Sequence, residues 1–155
     1  MDIVYQMIDQ FAEASKKYSF DKKIEMIKVC YLELKPIFLK VFEKGDLKGN
    51  AENFAQTTMQ LILGTAVNAD KKITSKEYKM YKLIGGDVGK DRIKDLVTVF
   101  GREENVEAVK TTTKIIFIED KEKFSTWVCM VVLICSIDKK ISNEEREYLH
   151  KILTP

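Results

Sequence analysis

Four carboxylates occupy matched places in two copies of one short pattern. Asp70-Lys71-Lys72-Ile73 recurs as Asp138-Lys139-Lys140-Ile141, and a hydroxyl residue with a glutamate three positions on follows each copy: Thr74 and Glu77, then Ser142 and Glu145. Carboxylate oxygens are hard donors. A quartet of Asp70, Glu77, Asp138 and Glu145 would therefore suit calcium, magnesium or manganese better than zinc, which prefers nitrogen and sulfur. The spacing Asp-x-x-Ile-x-x-x-Glu also matches the second half of an EF-hand loop, but the first half is missing. Ala66 or Ile134 stands where the first ligand belongs, Asn68 or Ser136 at the third position, and Lys71 or Lys139 at the glycine. A conventional EF-hand is excluded on ligand count. With lysines flanking each aspartate, the quartet is expected to bind a divalent cation weakly or not at all.

Folding gives the same residues another task. Thr74 with Glu77, and Ser142 with Glu145, have the form of capping boxes. In these the hydroxyl accepts the backbone N–H three residues on, and the glutamate returns to the cap residue's own N–H. Ile73 and Ile141 precede the caps. Tyr78 can complete a hydrophobic staple with Ile73, whereas Arg146 cannot do so fully for Ile141, which must find core elsewhere. Asp70 and Asp138 are less well accounted for, since a carboxylate just beyond a helix C-terminus meets the unfavourable end of the dipole. They could orient their turns by accepting backbone N–H groups.

Other chemistries lack their parts. His150 is the single histidine, so the Glu147-x-x-His150 half-motif cannot complete a di-iron site, and Ser-His-Asp or Cys-His arrangements have no placed base. Gly85, Gly86 and Gly89 read as a helix stop and not as a phosphate cradle after a strand. Cys30, Cys129 and Cys135 all lie among apolar neighbours, and Cys129 and Cys135 face different ways on a helix. That is a reduced, cytosolic pattern.

The elements that must hold the two turns are helices. The 155 residues suffice for one domain with a sizeable core; 45% of them are apolar and 32% charged, and seven glycines with two prolines are too few for an all-β chain. Val4, Met7, Ile8 and Phe11 predict an amphipathic helix to about Lys17. Asp21 is a candidate N-cap for a second, with Ile24, Ile27, Tyr31 and Leu34 inward. Pro36 should break or kink it before a short helix with Ile37, Phe38, Val41 and Phe42. Residues 45–50 have turn composition. A long helix follows over Ala51–Ala69, with Phe54, Thr58, Leu61, Ile62, Thr65 and Ala66 inward, then a helix over Ser75–Ile84 stopped by Gly85-Gly86. The chain restarts near Asp87. Ile93, Leu96, Val97 and Phe100 mark the next helix, and Val106, Val109, Thr113 and Ile116 another, although Thr111–Ile118 would suit a strand on propensity. The last two helices run from about Lys121 to Ile137 and from Asn143 to Leu153. Two halves, about 1–86 and 87–155, are thus expected to pack around a pseudo-twofold axis as one compact domain.

Charge and hydropathy narrow the partners. The net charge is +2 and unpolarised, with 14 basic and 11 acidic residues in 1–86 against 12 and 13 in 87–155. Nucleic-acid binders concentrate basic residues, and the nearest approach here, Lys16-Lys17 and Lys22-Lys23, reads as solvated lysines at a helix junction. No nucleic-acid partner is expected. Asp2, Asp9 and Glu13 argue against a signal peptide, and the apolar run Trp127–Ile137 falls short of the ~20 residues that cross a bilayer. No transmembrane segment and a cytoplasmic location are expected.

An apolar helix, the turn Asp-x-x-Ile-Ser/Thr and a helix opened by glutamate resembles the tellurite-resistance protein B (TerB-like) family. Asp70, Ile73, Thr74 and Glu77, and again Asp138, Ile141, Ser142 and Glu145, match its pattern Asp-Gly-x-Ile-Ser-x-x-Glu. These two units with their flanking helices cover about half the chain. Lys71 and Lys139 replace the family's glycine, which argues against a loop geometry needing positive φ. The resemblance implies an all-α fold of about seven helices. It implies a non-catalytic binding or adaptor module in the response to tellurite or other chemical stress, with a protein partner in a membrane-associated complex and no cofactor. The alternative is a metal-dependent sensor or weak metalloenzyme using the acidic quartet.

Overall fold

A computed structural model describes residues 2–44, 51–85, 89–138 and 140–154, with residues 41–44, 51–53 and 90 described by backbone alone. Eight helices occur among the described residues, and no strand. They are α1 (Ile3–Ser15), α2 (Phe20–Lys44), α3 (Ala51–Asn68), α4 (Ser75–Gly85), α5 (Lys90–Phe100), α6 (Glu103–Glu119), α7 (Lys121–Cys135) and α8 (Asn143–Leu153). None of these helices is long and apolar enough to cross a membrane. The residue 45–50 turn, the Gly86–Asp87 boundary and Lys139 lie outside the described residues.

The all-α expectation holds, and three details of it change. Ser19, not Asp21, opens α2: its Oγ accepts the Lys22 N–H at 3.2 Å. Pro36 does not break the helix. It lies on the exposed side of α2 near Leu32, whose carbonyl loses the N–H that Pro36 lacks on a face that water can reach. Ile27, Leu34, Ile37 and Phe38 on the opposite side are buried on both flanks of the proline, so packing carries the helix through it. The short helix expected after Pro36 is therefore part of α2, and eight helices among the described residues stand where the resemblance implied about seven.

Segment 111–118 is helical despite its strand-like composition. Val106, Val109, Thr113 and Ile116 are all buried, the period of one helix face. Thr111, Thr112 and Thr113 donate their hydroxyls to the carbonyls of Glu107, Ala108 and Val109 at 3.0–3.1 Å, which satisfies them within the helix.

Helix α7 is one of two central helices, with α3. It packs on α1, α2, α3, α6 and α8, and its buried run from Trp127 to Cys135 is interrupted only by half-buried Cys129. Trp127 Nε1 donates to Thr113 Oγ1 at 3.0 Å, and the ring meets Phe38 edge-on at 6.2 Å between centroids. Gly64 lets α3 approach α5: a Cβ there would lie 2.6 Å from Phe100 Cβ. A polar clasp joins α1 to α8. Tyr5 donates to the Glu147 carboxylate and stacks on His150 at 4.0 Å. The His150 ring lies 2.7 Å from Asp2 Oδ2, and Arg146 grips Asp9 through two bonds of 2.9 Å.

Candidate functional site: two acidic turns in contact

The turn between α3 and α4 is built by its own residues. Asp70 Oδ1 accepts the Lys72 N–H at 3.1 Å, closing a local ring, and the Lys71 N–H returns to the Asn68 carbonyl at 3.1 Å. Lys71 sits at φ 60°, the left-handed conformation that glycine would hold without cost. The lysine thus does not abolish the glycine-like geometry, contrary to expectation. Thr74 Oγ1 accepts the Glu77 N–H at 3.2 Å while Glu77 Oε1 accepts the Thr74 N–H at 3.0 Å. The second turn repeats the box: Ser142 Oγ accepts from Glu145 N–H at 3.1 Å, and Glu145 Oε1 from Ser142 N–H at 3.0 Å. Both boxes read from the sequence are present. Ile73, Tyr78 and Ile141 are half-buried against the main core.

The turns also touch. Thr74 Oγ1 donates to the Asp138 carboxylate at 2.9 and 3.0 Å. A hydroxyl has one proton, so Thr74 spends its acceptor side on the α4 cap and its proton on the other turn. Asp138, unexplained in sequence terms, has this partner. The second turn is anchored from below by Lys23, whose Nζ donates to the Ser136 carbonyl at 2.6 Å. Lys23 is 1% exposed, so the view of it as a solvated lysine is wrong. A cation here meets the carbonyl end of α7, where the dipole favours positive charge. Its helical register with buried Ile27 and Leu34, at four and eleven positions on, was the available signal.

Electrostatics separate the four acids. Asp70 and Asp138 are half-buried, whereas Glu77 and Glu145 are 3% and 6% exposed. Burial pushes the Glu77 carboxyl up to about 7; the Thr74 N–H opposes this, and the charges of Glu145, Asp138 and Asp70 add to it. Glu145 is likewise pushed up to about 7 by burial, against its Ser142 hydrogen bonds and with the fields of Asp70 and Asp138. Behind them, burial raises the Cys135 thiol and the Tyr148 phenol, whose oxygen lies 2.6 Å from Thr65 Oγ1. All four acids named from the sequence are electrostatically coupled. Among the described residues, however, no three Asp, Glu, His or Cys side chains are grouped so as to hold a metal ion.

No family model, curated protein or solved structure matches the chain.

Proposed function

We propose that the protein is a non-catalytic, cytosolic binding or adaptor module of the TerB-like type, acting in the response to tellurite or other chemical stress. Its contact surface is the pair of acidic turns, and its partner is a protein with a basic patch in a membrane-associated complex. The observation carrying this reading is the Thr74–Asp138 bond, which joins the two motif copies into one acidic feature. The half-buried Asp70 and Asp138 carboxylates are the negative groups that a basic partner would meet here, set between the exposed Lys71, Lys72 and Lys140. His150, the usual candidate base, is engaged by Asp2 and Tyr5 near the far end of α8 from the turns. The helix–turn–helix units α3–α4 and α7–α8 are read as pseudo-twofold copies, supported by their matching capping boxes and the packing of α3 on α7.

The immobilised chain should retain a basic protein from lysate of its own host, in a salt-sensitive way. The Asp70→Asn/Asp138→Asn variant, with helicity intact, should lose it. A retained set identical for both proteins would refute the acidic surface. The second reading, a metal-dependent sensor, is favoured by one observation: the charges of neighbouring carboxylates add to the burial that raises Glu77 and Glu145, and a bound cation would relieve that mutual repulsion. Titration with calcium, magnesium and manganese, followed by amide shifts, separates the two. Saturable shifts abolished in the double Asn variant would replace the adaptor by the sensor.

A further inference from the structure

Beside the first turn, the end of α3, the junction of α5 with α6 and one face of α8 line a cleft of about 280 Å³. Its most buried polar groups are two hydroxyls. Thr65 Oγ1 donates to the Leu61 carbonyl at 2.7 Å and has one proton, so the Tyr148 phenol 2.6 Å away is the donor between them. The Tyr148 oxygen keeps accepting capacity, and burial holds the phenol neutral by raising its pKa. Ala69 and buried Val106 supply apolar wall. The rim carries both signs of charge. Lys151 is held by Glu103 and Glu107, and Glu147 takes the Tyr5 hydroxyl, so those groups are engaged within the fold. Lys71 and Glu144 are exposed, and neither has an ion-pair partner among the described residues. They border the same cleft without meeting each other. Lys71 stands there at φ 60°, a conformation that costs a lysine and not a glycine. The Asp70 ring and the Thr74 cap make no use of its ammonium, so the fold bears that cost for no structural return.

We propose that this cleft binds a free α-amino acid with an apolar side chain. Its carboxylate meets Lys71, its ammonium lies between Glu144 and the Tyr148 oxygen, and its side chain packs on Ala69 and Val106. Opposite charges that border one cleft without pairing leave a gap, and a zwitterion fills it with both of its ends satisfied. A simple anion would meet the glutamates of the rim, and a simple cation its lysines. Asp70 and Asp138 are not among the walls, so this site stands apart from the acidic surface proposed above and does not depend on it.

Amide-shift titration of the intact chain with L-leucine, L-methionine and L-phenylalanine tests this. Each is run beside the amine that lacks its carboxylate and the acid that lacks its ammonium. At least one amino acid should give saturable shifts at Ala69, Gly101 and Val106, with its amine and its acid each about tenfold weaker, the loss of one charge-assisted hydrogen bond. Lys71→Gly should weaken the amino acid about tenfold and leave the amine unchanged; Glu144→Gln should weaken the amino acid and leave the acid unchanged. Glu144 is exposed, so its variant decides the matter even where the other fails to fold. No saturable shift at millimolar concentrations of any of the three, an amine or acid that binds as well as its amino acid, or undiminished binding by both variants would overturn the proposal.

Discussion

Raising the pH should weaken this fold across a defined window, and two glutamates should account for it. An ordinary glutamate titrates at 4.5, and burial moves Glu77 and Glu145 to about 7. Below the lower value both folded and unfolded chains are protonated at these positions, and the glutamates cost nothing. Between the two values the unfolded chain has released protons that the folded chain still holds, so stability falls as pH rises. Above about 7 the loss is complete. A shift of ~2.5 pH units corresponds to ~3 kcal/mol for one glutamate, and the coupled pair should lose between that and twice that. With a urea slope of ~2 kcal/mol/M, the denaturation midpoint should drop by ~1.5 M or more between about pH 5 and pH 8. The Glu77→Gln/Glu145→Gln variant can still accept the Thr74 and Ser142 N–H groups but cannot ionise. Its midpoint should be nearly flat over the window and should exceed that of the wild type at the upper end. Urea titrations of both proteins, followed by far-ultraviolet circular dichroism, isolate the glutamates from every other titrating group. A wild-type midpoint that stays constant or rises, or a variant with the same slope, would refute the burial argument.

Ser142→Ala should cost ~1 kcal/mol as a lost N-cap. Thr74→Ala should cost more, because it also deprives Asp138 of its donor; equal midpoints for both variants and wild type would refute the capping account. Lys71→Gly should stabilise the fold by ~0.5–1 kcal/mol in thermal denaturation, the relief of a left-handed residue less the added freedom of glycine in the unfolded chain. A loss of stability would mean that Lys71 makes contacts outweighing its backbone strain. Lys23→Met should destabilise by ~2 kcal/mol, since the Ser136 carbonyl keeps its burial and loses a charged donor. A variant as stable as wild type would show that the lysine is held there at no net gain.

The helices were legible wherever burial repeats with helical period, as at Val106, Val109, Thr113 and Ile116, and the capping boxes because their hydrogen bonds span three residues. Pro36 misled because its effect depends on which face it occupies, and that face is set by partners elsewhere in the chain. Lys23 misled for a related reason: residue type argued for solvent, while its register with Ile27 argued for the core. The contacts that give the candidate site its shape were beyond local pattern. Thr74 reaches Asp138 across 64 positions, and Lys23 reaches the Ser136 carbonyl across 113. No periodicity within either segment encodes those meetings.

The central position of α7 also fixes when the protein can become itself during synthesis. Ile24, Ile27, Leu34 and Phe38 are made early, while Trp127 and the apolar run that follows emerge roughly a hundred residues later. Until then α2 offers the growing chain an oily face without its principal partner, and α1 has neither α7 nor the α8 side of its clasp. Contacts so distant in sequence close slowly, and surface left open meanwhile invites self-association. A nascent chain halted before α7 should therefore behave as sticky and protease-sensitive, and acquire resistance abruptly, not gradually, once α7 and α8 have cleared the ribosome.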